Sequence, residues 1–94
     1  MIKFEIVDNG QKGSIQLLEA DLLAGALTFT WAGDDKFIID HTEVDAAFGG
    51  KGYGKLLVME AVAFARKKQV KIIPLCPYAK RVFEKDNSIQ DVLV

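Results

Sequence analysis

Gly49-Gly50-Lys51-Gly52-Tyr53-Gly54 puts four glycines into six residues, between a strand-like stretch ending at Asp45 and a helix-like stretch beginning at Tyr53. The first turn of a helix leaves backbone N–H groups that the helix cannot pair itself. Glycine lets a ligand approach that backbone closely and lets the chain take positive φ. The helix opens with Tyr53, Gly54, Lys55 and Leu56, and its first acid is Glu60. Its positive end therefore lacks the carboxylate that first turns favour. These features predict an anion site with a diphosphate as guest, to which Lys51 and Lys55 add screened attraction. A turn that merely reverses the chain is the plain alternative.

Outward from the turn, Leu57, Ala61, Phe64 and Ala65 share one face of a helix from Tyr53 to Gln69, closed by Arg66-Lys67-Lys68. Upstream, Lys36 to Asp45 reads as a fourth strand with Phe37, Ile39 and His41 on one side. Before it come Ile2 to Val7, with period-two alternation, then Gly13 to Glu19, and Ala26 to Trp31 after Gly25. Turns at Asp8-Asn9-Gly10 and Gly33-Asp34-Asp35 join them into an antiparallel meander. After the helix, Val70 to Leu75 is a short strand in which Pro74 cannot donate, so it lies at an edge or parts from its neighbour there. Pro77 suits the first turn of a second helix, Tyr78 to Lys85, while Ser88 to Val94 is either a final strand or a docked tail. The order predicts an α+β fold in a single domain, residues 1–94.

A chain of 94 residues with 50% hydrophobic content has room for one core only. The net charge of −1, from twelve basic residues scattered among thirteen acidic ones, argues against binding nucleic acid by counterion release. Leu56 to Ala65 is interrupted by Glu60 and falls far short of the ~20 apolar residues that cross a bilayer. With a single cysteine no internal disulfide can form, and MIKFEIVDNG lacks the apolar run of a signal peptide, so a cytoplasmic location is expected. No metal is expected, and the chain is expected to be a monomer or weak homodimer.

Three nucleotide motifs compete for the glycine turn. Gly49, Gly54 and Lys55 satisfy a P-loop, but Leu56 stands where Ser or Thr holds magnesium. A dinucleotide fingerprint needs a small residue at Leu57 and a following βαβ unit, and has neither. The third is the Q/R-x-x-G-x-G/A turn of the GNAT superfamily of N-acetyltransferases, which Gly52-Tyr53-Gly54 and the following helix resemble; Gly49 stands where that pattern begins with Gln or Arg. With Asp40-His41-Thr42-Glu43-Val44 and Ile73-Pro74-Leu75-Cys76-Pro77-Tyr78, most of the chain resembles a subfamily of very small single-domain GNAT-like acetyltransferases.

The resemblance implies a minimal GNAT-like fold: four antiparallel strands, a helix, a fifth strand and a second helix, with the fourth and fifth strands splayed around acetyl-CoA. It implies that Thr42 and Val44 line the pantetheine arm, that Gly49, Gly50, Lys51, Gly52, Tyr53, Gly54 and Lys55 hold the diphosphate, and that Lys80 and Arg81 lie near the nucleotide end. The activity implied is acetyl transfer from acetyl-CoA to a primary amine of a protein, peptide or small molecule. Cys76 either carries the acetyl group as a thiolate or is a small buried hydrophobe. His41 is either the base that deprotonates the incoming ammonium or a core histidine. Tyr78 either protonates the departing thiolate or packs on the sheet. Larger relatives wall the acceptor site with extra amino-terminal helices, so an open acceptor groove is expected here. A CoA-binding module without catalysis, and an anion-binding domain unrelated to CoA, are the rival readings.

Overall fold

Alternation of Ile2, Phe4 and Ile6 with Lys3 and Glu5 makes the first strand, β1 (Ile2–Asp8), in a computed structural model that describes residues 1–94. The side chains of Asp8 and Asn9 then accept from the backbone N–H groups of Gly10, Gln11 and Lys12, closing the turn into β2 (Lys12–Glu19). The next strand, β3 (Leu22–Trp31), begins at Leu22 rather than Ala26. Its turn is Ala20-Asp21, both left-handed (φ 51° and 66°), a tight hairpin built without the glycine that usually marks one. Gly25 lies inside β3, where a Cβ would meet the Glu43 carbonyl oxygen at 2.7 Å and a Leu57 methyl at 3.3 Å. It is glycine because strand and helix press together there.

The fourth strand, β4 (Lys36–Val44), pairs antiparallel with β3 and, over Lys36 to Ile39 only, parallel with β5 (Lys71–Pro74). The five strands form one sheet in the order β1-β2-β3-β4-β5. Pairing of β4 with β5 stops at Ile39 and Pro74, so the two strands part where proline removes a donor. Two helices, α1 (Tyr53–Lys68) and α2 (Pro77–Lys85), join the buried side chains of the sheet in a single apolar core. That core includes Leu17, Leu27, Phe29, Phe37, Leu57, Ile72 and Phe83, with no polar side chain buried in it. After α2, a 3-10 turn (Asn87–Val92) and one bridge between Leu93 and Ile72 dock the tail against β5. Arg66 holds it by donating to Asp91 and to the Ser88 carbonyl.

One irregularity shapes the site. Phe29 faces Ile39 and Thr28 faces His41, leaving Asp40 as an extra residue in β4. Such a bulge resets the side-chain alternation. Phe37 and Ile39 point into the core, but beyond Asp40 it is Thr42 and Val44 that turn inward, while His41 and Glu43 turn to solvent. The expectation that His41 shares the face of Phe37 and Ile39 is therefore corrected, because strict alternation carries no signal for an inserted residue. No helix is long and apolar enough to cross a membrane.

Candidate active site

Asp45 caps a short 3-10 turn (Ala46–Phe48) through its side chain, and the chain then enters the glycine segment. Gly50 and Gly52 adopt left-handed φ of 79° and 75°, and a Cβ on either would meet nothing within 4 Å. The consequence is a run of backbone amides, Gly50 to Lys55, none of which donates to a protein acceptor. The first donor after them is Leu56, to the Gly52 carbonyl. Gly52 is the amino-terminal cap of α1, with no side-chain cap and no acid in the first turn. Free amides, open space and an uncompensated dipole fit a diphosphate. Gly49 does not join them: its N–H donates to the Ala46 carbonyl and its φ is −65°.

The side chains of Lys51 and Tyr53 hold the turn in place. Glu19, at the end of β2, accepts from the Tyr53 hydroxyl and from Lys51 Nζ at 2.8 Å. The Lys51 ammonium also sits 5.5 Å from the centre of the Phe48 ring and 5.8 Å from that of Tyr53, and the two rings stack. The hydrogen bond from Lys51, then that from Tyr53, holds the Glu19 carboxyl below the usual carboxylate range. The same contact with Glu19 raises the pKa of Lys51 and of Tyr53. The side chains of Lys51 and Tyr53 are thus engaged by Glu19, while their amides stay unpaired. Glu19 and Phe48 were missed from sequence, since Glu19 lies 34 positions before Tyr53 and nothing local marks it.

At the opposite end of the splay, the Cys76 N–H donates to the Ile39 carbonyl at 3.1 Å, bridging the two strands where their pairing stops. Its sulfur lies 3.7 Å from Thr42 Oγ1, and the residue is only 5% exposed. Burial raises the thiol's pKa. Hydrogen bonds from the Ala79 amide, the Thr42 hydroxyl and the Tyr78 amide outweigh that effect, and the net shift is downward. Between these ends the edge of β4 is uncovered. Since the Asp45 N–H donates to Ala24 on β3, the alternation of an antiparallel ladder turns the amides of Val44 and Thr42 toward the gap.

The remaining candidates are dispersed. His41 is solvent-exposed, with Nε2 3.3 Å from a Glu43 carboxylate oxygen, on the face opposite Thr42. Tyr78 is 36% exposed. Its hydroxyl overhangs the start of α1, 2.9 Å from where a Cβ on Gly54 would sit, which is why position 54 carries none. Lys80 lines a cavity with Ile72, Phe83 and Glu84 on one flank of α2, whereas Lys55 lines another with Arg81 and Lys85.

The chain matches the model of the GCN5-related N-acetyltransferases over residues 3–92. It belongs to that family. Among solved structures, a GCN5-like protein from Staphylococcus aureus is 34% identical, with a TM-score of 0.69 over 96% of this chain and 87% of that one. The ribosomal-protein-S18-alanine N-acetyltransferase of Escherichia coli shares the GNAT fold at 12% identity, TM-score 0.75, over 90% of this chain and 76% of its own. A GNAT family acetyltransferase from Elizabethkingia anophelis, solved with acetyl-CoA bound, matches 78% of this chain and 63% of its own at 12% identity and TM-score 0.68. No curated protein sequence matches the chain significantly. The mostly antiparallel sheet, with its parallel and parting fifth strand, is thus the GNAT arrangement read from the sequence.

Proposed function

We propose that this GNAT domain moves an acetyl group from acetyl-CoA to a primary amine. The observation that carries the reading is the run of unpaired amides from Gly50 to Lys55 at one end of a gap whose other end is Cys76 and Thr42. The amides of Gly50, Lys51, Gly52, Tyr53, Gly54 and Lys55 hold the diphosphate. The backbone of Thr42 and Val44 guides the pantetheine arm, and the thioester comes to rest beside Cys76. Acetyl-CoA bound in a relative of the same fold supports this guest.

Fixing both ends of the thioester supplies most of the rate, as positioning and preorganised dipoles do in acyl transfer. In the direct route the amine nitrogen attacks the carbonyl carbon, the carbon–sulfur bond breaks, and CoA leaves as a thiolate that takes up a proton. In the relayed route the Cys76 thiolate attacks first, releases CoA, and is itself displaced by the amine. The proton that leaves the acceptor's ammonium goes to water or to His41, which Glu43 steadies on the solvent side of β4. Tyr78, whose hydroxyl stands at Gly54, orients the ligand where the arm leaves the diphosphate, and the departing thiolate takes its proton from water. The acceptor is a protein or peptide lysine or a small amine, met in the reducing cytoplasm by a monomer or weak homodimer.

A second reading has its own support. His41 faces away from Thr42 and Cys76, so no base stands beside the thiol, as in a module that holds CoA without turnover. Calorimetry with CoA, ADP and sulfate tests the cofactor itself: CoA is expected to bind far more tightly, and equal affinity for all three removes the proposal. Acetyl transfer across a panel of peptides and polyamines, with intact-mass detection of S-acetyl Cys76, then separates enzyme from binding module.

A further inference from the structure

A cavity of 280 Å³ lies between the start of α1 and one flank of α2. It is lined by Lys55, Tyr78, Arg81, Val82, Lys85 and Asp86. On α2 the spacing of Tyr78, Arg81, Val82 and Lys85 is that of one helical stripe. Lys55, from α1, is the residue that ends the run of unpaired amides, so the cavity and the diphosphate cradle share a wall.

Charge is the unusual feature. The ion pairs of the molecule use Lys3, Lys36, Lys51, Arg66 and His41; Lys55, Arg81 and Lys85 take part in none. The single acid on the wall, Asp86, accepts from the Ser88 amide at 2.9 Å and the Ser88 hydroxyl at 2.6 Å, as the cap of the following 3-10 turn. Three cations thus gather around one concave space with one carboxylate already engaged. A phosphate monoester, carrying about −1.5 to −2 charges at pH 7, complements them. The Tyr78 ring and Val82 give the same space an apolar side on which a purine can lie.

We propose that this cavity is a second anion subsite, taking the 3′-phosphate of the adenosine end of CoA and so selecting CoA over its dephosphorylated form. The inference rests on the diphosphate reading of the glycine turn, because only a ligand anchored there presents its next phosphate to Lys55, Arg81 and Lys85. Lys80, which lines the other cavity beside β5 and the tail, has no part in it.

The test measures the affinity of the intact chain and of an Arg81→Gln/Lys85→Gln double variant for CoA and for dephospho-CoA by calorimetry. Both positions are exposed on α2, so the fold is expected to persist, which an unchanged melting temperature verifies. The wild type should prefer CoA by about 10-fold, the scale of two or three partly screened, charge-assisted contacts. The double variant should bind CoA only as well as dephospho-CoA, with dephospho-CoA affinity unchanged from wild type. Equal wild-type affinity for the two compounds overturns the subsite while leaving the diphosphate cradle standing. A double variant that keeps the preference, or that weakens both compounds equally, also overturns it. If neither compound binds the wild type, the cofactor reading falls and this inference with it.

Discussion

Replacing Gly52 by alanine separates strain in the turn from loss of a binding surface, because the chain contains its own control. Gly52 and Gly10 both sit at left-handed φ, 75° and 87°, and a methyl group at either position would touch nothing within 4 Å. For a residue other than glycine this conformation costs about 1–2 kcal/mol. The stiffer unfolded chain returns about 0.4–1 kcal/mol, leaving a net loss near 0.5–1 kcal/mol at either site. For a domain of this size that lowers the melting temperature by about 2–8 °C. Gly10→Ala and Gly52→Ala should therefore melt alike. They should differ in affinity, since only Gly52 lies within the run of free amides. Loss of one charge-assisted amide contact, about 1.5–3 kcal/mol, weakens CoA by about 10- to 100-fold in Gly52→Ala, while Gly10→Ala binds as wild type. Calorimetric titration of both variants is the assay. Undiminished CoA affinity in Gly52→Ala, with the expected drop in melting temperature, refutes the assignment of these amides to the diphosphate.

Other outcomes follow from the same geometry. Cys76 has its pKa lowered in the folded state, so its alkylation by iodoacetamide should rise at a lower pH than that of the thiol in urea. Coincident profiles remove the thiolate role, and normal turnover in Cys76→Ala leaves direct transfer as the surviving route. Glu19 has its carboxyl pKa depressed on folding, so its contribution is present above the unfolded value of 4.5 and is lost as pH falls through the lower folded value. Glu19→Gln should therefore weaken CoA binding several-fold and flatten the acid limb of a thermal-stability profile; an unaltered limb contradicts the latch. Gly25→Ala forces a methyl group to 2.7 Å from the Glu43 carbonyl oxygen and should cost about 1–3 kcal/mol, read as a lower urea midpoint.

The fold was legible where local chemistry and tertiary structure agree. Alternation in β1, the side-chain-closed turn at Asp8 and Asn9, and the apolar stripe of α1 each stand in the sequence as they stand in space. Pro74 announced the splay for a stated reason, a missing donor. What was not legible depends on partners distant in sequence or on backbone shape without a marker. Ala20-Asp21 makes a left-handed hairpin from residues that do not advertise one, and Gly25, read as a boundary, is a site of close packing. The unpaired amides of the glycine turn were readable because their signal, absent carboxylates and absent side chains, is local. The turn's support by Glu19 was not, because the carboxylate that accepts from Lys51 and Tyr53 is remote in sequence.

The extra residue at Asp40 makes β4 a length-sensitive element. Its far half carries a hydroxyl toward the thiol on one side of the sheet and an imidazole toward bulk water on the other, and one inserted position decides which goes where. Were Asp40 to pair in regular register instead of bulging out, the two would swap, placing the histidine over Cys76 and stranding the threonine outside. The division of labour across this strand is thus written as a count of residues as much as in their identity.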